Sequence, residues 1–277
     1  MSSLSGKSRK NLTQILGWNQ TSYFIISSFI LLLFIIGYVW WPLLEEYIAS
    51  YDPDLPFWIQ FDWLLLAIFV AMSLLIMAKA DLKTDSIIVL VGLAGGLVIE
   101  SWGTQTSLWA YYTSERPPLW IIPAWPIASL SIDRLFRILV HQTQKAPEKI
   151  IQILYWLIFG GFFILMIFFV SPTFDKSLTS MAIFLCAFLI LTPVNHRAML
   201  LTFIAGSSLG YFLELWGTTR ECWTYYTFQT PPFFAVLAHG MAAVAFWRVA
   251  QLFQIFKPKI AAISKRLFHL PENKSTV

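Results

Sequence analysis

Charge is what this sequence has least of. Charged side chains make up 12% of its 277 residues, against about 25% in an average soluble domain. That leaves too little polar surface to keep a chain of this length dissolved. Cysteine is also scarce: Cys186 and Cys222 are the two, which excludes a disulfide framework and any cysteine-based metal spacing. Four histidines without a His-x-x-x-His pattern, and no clustered carboxylates, leave no metal site to expect. No Gly-rich phosphate loop with a lysine and no serine nucleophile elbow occurs, so neither a nucleotide cofactor nor a serine hydrolase is implied. What is abundant is apolar: 57% hydrophobic residues, with 24 Phe, 13 Trp and 10 Tyr. Disorder is excluded by the same numbers. The expected class is an all-α polytopic membrane protein.

A helix needs about 20 mostly apolar residues to cross the hydrocarbon. Eight segments qualify as candidates: 22–41, 62–80, 86–102, 119–140, 150–170, 178–193, 198–215 and 233–252. The first is too long for a signal h-region and has no small-residue cleavage site after it, so it reads as a helix that stays. Gly92, Gly95 and Gly96 in the third segment, and Gly206 and Gly210 in the seventh, would let helices approach closely. With the N-terminus inside, 16 of the 19 Lys and Arg fall on the cytoplasmic side, as the positive-inside rule requires. The basic excess therefore has a topological use, and no nucleic-acid partner is expected. Both termini are placed in the cytoplasm, in a membrane of the bacterial inner-membrane type.

The chain also repeats itself. A shift of 114 residues lays Gly96, Glu100, Trp102, Gly103 and Thr104 on Gly210, Glu214, Trp216, Gly217 and Thr218. Without a gap, Trp109, Tyr111, Tyr112 and Thr113 fall on Trp223, Tyr225, Tyr226 and Thr227, and Pro117-Pro118 on Pro231-Pro232. Fourteen of the 39 positions from Gly96 to Arg134 are identical. Such periodicity marks a duplicated unit. The expected organisation is a short N-terminal segment (1–21), a first four-helix repeat (22–140), a linker (141–149), a second repeat (150–252) and a basic tail (253–277). Four spans per unit is an even number, so the two repeats are parallel and both motifs face the extracytoplasmic side.

Each motif carries a glutamate near the outer end of a span. Glu100 follows Asp85 by 15 residues, or roughly 22 Å of helix at 1.5 Å per residue, which puts it within the hydrocarbon. Desolvation there penalises the charged form, and an intramembrane ionisable residue is by default a functional candidate. Glu100 and Glu214 are thus candidate acids or bases. Trp102, Trp109, Tyr111, Tyr112 and Trp125, with Trp216, Trp223, Tyr225 and Tyr226, are the candidate substrate-binding residues. A neutral carboxyl can protonate an alkene, and aromatic faces stabilise a cation without attacking it. The competing reading is structural: Trp and Tyr gather at membrane interfaces in any polytopic protein, and a glutamate can accept loop N–H groups. The glycine of Trp-Gly-Thr is expected to supply a turn, and Pro-Pro to open the next helix.

The halves differ where Trp125-Pro126 meets His239-Gly240. A histidine at that depth is a candidate proton partner or a hydrogen-bonded packing residue. Arg134 and Arg248 read as snorkelling anchors. Glu115, Arg116, Arg220 and Glu221 read as solvated loop charges or headgroup contacts.

The stretch Glu100-x-x-Gly103-x-x-Thr106, its Tyr-rich loop and Ile122-Pro123-Ala124-Trp125 resemble the integral membrane carotenoid-biosynthesis proteins that include carotenoid hydratases. The resemblance covers about 30 residues. Ser107 stands where that pattern has glycine, and the two tyrosines are adjacent where it spaces them. It implies cofactor-free addition of water to an isoprenoid double bond. The expectation is therefore a membrane-embedded enzyme on an isoprenoid or other apolar lipid. The alternatives are a transporter with its site between the repeats, or a non-catalytic scaffold.

Overall fold

Polar residues at the membrane-facing ends of apolar runs set where the helices start. The computed structural model describes residues 16–267, with side chains through Phe256. Asn19 caps Gln20–Val39 (α1), its side chain accepting from Ser22 N–H while Ser22 Oγ accepts from Asn19 N–H, a reciprocal capping box. Two short helices follow, Trp41–Ala49 (α2) and Phe57–Gln60 (α3). Asp62 caps Trp63–Met77 (α4), and Asp81 caps Leu82–Gln105 (α5). After a three-residue strand, Trp109–Tyr111 (β1), come Ala124–Gln142 (α6) and Glu148–Val170 (α7). Ser177–Leu191 (α8) leads to His196–Thr219 (α9), which Asn195 caps. Trp223–Tyr225 (β2) and the long helix Phe233–Leu267 (α10) complete the described residues.

Among the described residues, five stretches are long and apolar enough to cross a membrane: Gln20–Val39, Leu82–Gln105, Glu148–Thr173, His196–Thr219 and Phe233–Phe256. Helices α4 and α8 are apolar but have only 15 residues each. The chain is a helical membrane protein with one small β ribbon that its sequence did not announce. Lys7, Arg9, Lys10, His269 and Lys274, and the side chains of Lys257, Lys259, Lys265 and Arg266, lie outside the described residues.

One apolar core joins α1, α4 and α6 through residues such as Phe29, Met72, Ile76 and Leu130. A second joins α7, α9 and α10 through Phe159, Phe162, Met199 and Val244. The small residues sit at the tightest crossings. A Cβ on Gly206 would lie 2.9 Å from Gly240 Cα between α9 and α10, and one on Gly92 3.0 Å from Pro126 Cα between α5 and α6. Close backbone approach of this kind is how membrane helices gain packing without a hydrophobic drive.

Two expectations need correction here. Pro231-Pro232 does open α10 at Phe233, but Pro117-Pro118 lies in a turn and α6 starts at Ala124, behind Pro123. Arg134 does not snorkel. It is 4% exposed, pairs with buried Asp85 at 2.7 Å and with Asp133 at 2.6 Å, and donates to the Ala78 carbonyl at 3.0 Å. The reason is register: Asp85, one turn into α5, faces α6 where the arginine can reach it. Breaking a buried pair leaves an uncompensated charge, at a cost of about 3–5 kcal/mol. Arg134→Ala is therefore expected to lower unfolding stability in detergent by that order. Asp85→Leu combined with Arg134→Met should recover much of the loss.

Candidate functional site

The two motif loops meet through their strands. β1 and β2 pair antiparallel, Trp109 opposite Tyr225, Ala110 opposite Thr224 and Tyr111 opposite Trp223. Each of these residues lies 114 positions from its equivalent, so the register is two-fold symmetric about the Ala110–Thr224 pair. Both cross-strand aromatic pairs have centroids 5.9 Å apart at 53°, within the range where ring pairs attract. The ribbon is closed at both ends by exchanged bonds, Tyr112 N–H to the Cys222 carbonyl at 3.2 Å and Tyr226 N–H to that of Leu108 at 3.1 Å.

Left-handed backbone in the loops falls on Ser107 and Glu221, with φ of 61° and 57°, and again on Ser114 and Phe228. Gly103 and Gly217, expected to make the turn, lie instead inside α5 and α9. Their role is space: a Cβ on either would fall 1.9 Å from the ring of Trp109 or Trp223. Those two indoles fold back over the last helical turn, and that brings their N–H groups onto the glutamates.

Glu100 accepts three hydrogen bonds. Its Oε1 takes Tyr111 OH at 2.8 Å and Trp125 Nε1 at 3.1 Å, and its Oε2 takes Trp109 Nε1 at 3.1 Å. Glu214 repeats the set with one change. Its Oε2 takes Trp223 Nε1 at 2.9 Å, and its Oε1 lies 2.8 Å from both Tyr225 OH and His239 Nε2. Both carboxyls are buried, with only 3% of each residue exposed. Burial, reinforced by the adjacent glutamate, holds the Tyr111 and Tyr225 phenols well above their ordinary range, so both remain donors. Trp125 and His239 reach their carboxyls because glycine stands one helical turn before each glutamate. A Cβ on Gly96 would lie 2.4 Å from Trp125 Cγ, and one on Gly210 2.5 Å from His239 Cβ. Trp125 and His239 then stack on each other, centroids 5.7 Å apart at 19°. An unbroken chain of contacts runs from Glu100 through Trp125 and His239 to Glu214.

Both carboxyls line one cavity of about 1230 Å³, shared with Trp102, Trp109, Tyr111, Trp125, Trp223, Tyr225 and His239. This is larger than the roughly 300–1,000 Å³ that holds a drug-sized molecule. The remaining walls are mostly apolar and come chiefly from α5, α7, α8 and α10, with Ser101, Gln105 and Ser180 among them; Val98 of α5 and Met181, Phe184 and Phe188 of α8 are exposed. Three sequence-predicted residues are elsewhere. Tyr112 OH bonds the Val39 carbonyl, Tyr226 OH bonds that of Phe169 at 2.7 Å, and Trp216 Nε1 bonds Asp62 at 2.9 Å. Arg220 also meets Asp62, at 3.1 Å, so it is not merely a solvated loop charge.

No family model, no curated protein and no solved structure matches this chain. The site thus rests on its own chemistry. Among the described residues, no group of three or more His, Cys, Asp and Glu side chains converges as a metal site.

Asp62 is the partner of Trp216 that motif reasoning missed. Helices α4 and α8, Trp63–Met77 and Ser177–Leu191, are also 114 residues apart, yet they pack differently. Asp62 ties the start of α4 to α9 through Trp216 and Arg220, and α4 packs on α1, α6 and α9. The Asp62 carboxyl accepts from Leu65 N–H at 3.1 Å as well as from Trp216 and Arg220. The equivalent position is Lys176, which cannot accept an indole N–H; Trp102 reaches Thr179 instead, at 3.3 Å. Helix α8 packs chiefly on α7, and the cavity occupies the space beside it. The substitution of Lys176 for an acid at the 114-residue spacing was the available signal.

Proposed function

We propose that this protein is a membrane-embedded enzyme acting on an isoprenoid or another apolar lipid by proton-initiated acid/base chemistry, such as hydration of a double bond. One observation carries the reading: two buried carboxyls, each with a full set of hydrogen-bond partners, sit in the wall of a large apolar cavity. Aromatic rings beside them suit a cationic intermediate, and the apolar walls suit a hydrocarbon chain. The exposed apolar side chains of α5 and α8 at the cavity supply a route from the lipid phase. The local resemblance to carotenoid hydratases agrees with this chemistry. The same reading takes the eight longer helices as membrane crossings, arranged as two parallel four-helix repeats with both termini in the cytoplasm.

A transporter is the competing reading. It calls for a polar path reaching both sides, whereas the cavity walls are mostly hydrocarbon and aromatic. The test is lipid and pigment profiling by mass spectrometry in a deletion strain complemented with the wild type, Glu214→Gln or Glu100→Gln. A lipid that disappears on deletion and returns only with the wild type supports an enzyme. Full restoration by both variants rejects the acid/base chemistry, and substrate accumulation in sealed vesicles without conversion supports transport.

A further inference from the structure

The two carboxyls have the same surroundings in all but one partner, and that partner decides what each can do with a proton. An indole N–H is a donor with no acceptor lone pair, whereas an imidazole nitrogen can donate or accept. Glu100 faces two indoles and a phenol. No hydrogen can be passed to Trp109 or Trp125, so Glu100 serves as an acceptor for three fixed donors. Glu214 faces one indole, one phenol and His239 Nε2 at 2.8 Å. Here one hydrogen can belong to either Oε1 or Nε2 without any heavy atom moving.

We infer that Glu214 and His239 form the proton-exchanging pair of the site, and that Glu100 with Trp125 is its fixed electrostatic counterpart. The inference rests on the reading of the site as acid/base machinery. Three features support it independently of lipid chemistry. Both members line the cavity, so a reacting group there has access to the ring. The His239 side chain is 18% exposed, and among the described residues Nδ1 has no protein partner while Nε2 is held by Glu214. The face of Trp125 stacks on the ring, centroids 5.7 Å apart at 19°, and holds the imidazole plane where Nε2 meets Glu214.

The transfer balances without a co-reactant. The transfer starts from the form in which Glu214 carries a hydrogen that it donates to Nε2 and the ring carries its own on Nδ1. The Nδ1 hydrogen passes to the substrate carbon, and the Glu214 hydrogen moves to Nε2. The imidazole ends neutral, Glu214 ends as a carboxylate, and the substrate has gained one proton and one positive charge. Reversal after water addition would return a proton by the same path. The other titratable groups near His239 are Tyr225 from β2, Glu100 from α5 through Trp125, and Tyr111 from β1. Helix α8 contributes Cys186 to the cavity, and α6 contributes no titratable group beside the ring.

The full-length protein in detergent, without added lipid, allows a direct test by infrared difference spectroscopy between mildly acidic and mildly alkaline buffer, in H2O and D2O. The expected result is a coupled change in carboxyl and imidazole bands that is lost in Glu214→Gln and in His239→Asn and kept in Trp125→Phe. Survival of the signal in Glu214→Gln, its loss in Trp125→Phe but not in His239→Asn, or no proton-linked change in the wild type overturns the assignment. Lipid profiling of the His239→Asn strain separates this from the enzymatic reading. An intact proton signal in the wild type with unaltered lipids in the variant leaves the pair standing and removes the enzyme. Altered lipids with no proton signal do the opposite.

Discussion

Glu214→Gln is expected to fold almost as the wild type does and to lower product formation by about 10²–10⁴-fold, the usual contribution of a positioned acid or base. The hydrogen-bond inventory explains why the fold survives. A glutamine can turn its carbonyl to Trp223 Nε1 and its amide to Tyr225 OH and His239 Nε2, both of which can accept. Glu100→Gln has no such solution. Trp109 and Trp125 donate to different oxygens of Glu100, so either orientation of the amide sets an NH2 against an indole N–H. A buried donor left unpaired costs about 1–3 kcal/mol. Glu100→Gln should therefore show a lower unfolding midpoint in detergent, and Glu214→Gln a lower product level at a near-native midpoint. Equal destabilisation of the two would refute the difference in their partners.

The second large effect concerns a hydrogen atom. Gly103→Ala and Gly217→Ala each place a methyl carbon 1.9 Å from an indole ring, so the ring must leave. Overpacking costs about 1–3 kcal/mol, and leaving the buried carboxyl without its indole donor about 1–3 kcal/mol more. Each substitution is expected to reduce the midpoint sharply and to change the fluorescence of the displaced tryptophan. Gly160→Ala in α7 is the control, because a Cβ there meets nothing within 4 Å. It should fold without loss, since alanine is the better helix former, and if it were as damaging as Gly103→Ala the indole seat would not be the cause.

Much of the helical layout was readable from hydrophobic runs, because apolar length and end caps are local properties. Asn19, Asp62, Asp81 and Asn195 each stand just before a helix that the runs also located. The carboxyls and most of their aromatic partners were readable too, since the 114-residue repeat places Glu, Trp and Tyr at fixed offsets. The roles of single residues were less so. Gly103 looked like a turn former and is a seat for an indole. Arg134 looked like a surface anchor and is buried against Asp85. Arg134 meets its partner 49 positions away, while Gly103 meets Trp109 within the same motif, through a fold-back of the intervening loop that residue pattern does not display.

The scarcity of charge and the repeated Glu-x-Trp-Gly-Thr motif settled from sequence alone that this chain belongs in a membrane and carries two carboxyls in matching surroundings. Tertiary structure decided that both open on one apolar cavity. It also decided that the single exchange of Trp125 for His239 falls on the carboxyl itself, since Gly210 clears the crossing that lets the ring reach Glu214. The reason is physical. Residue type along a helix shows which face is apolar, but the distance between two helices depends on what both sides place at the crossing.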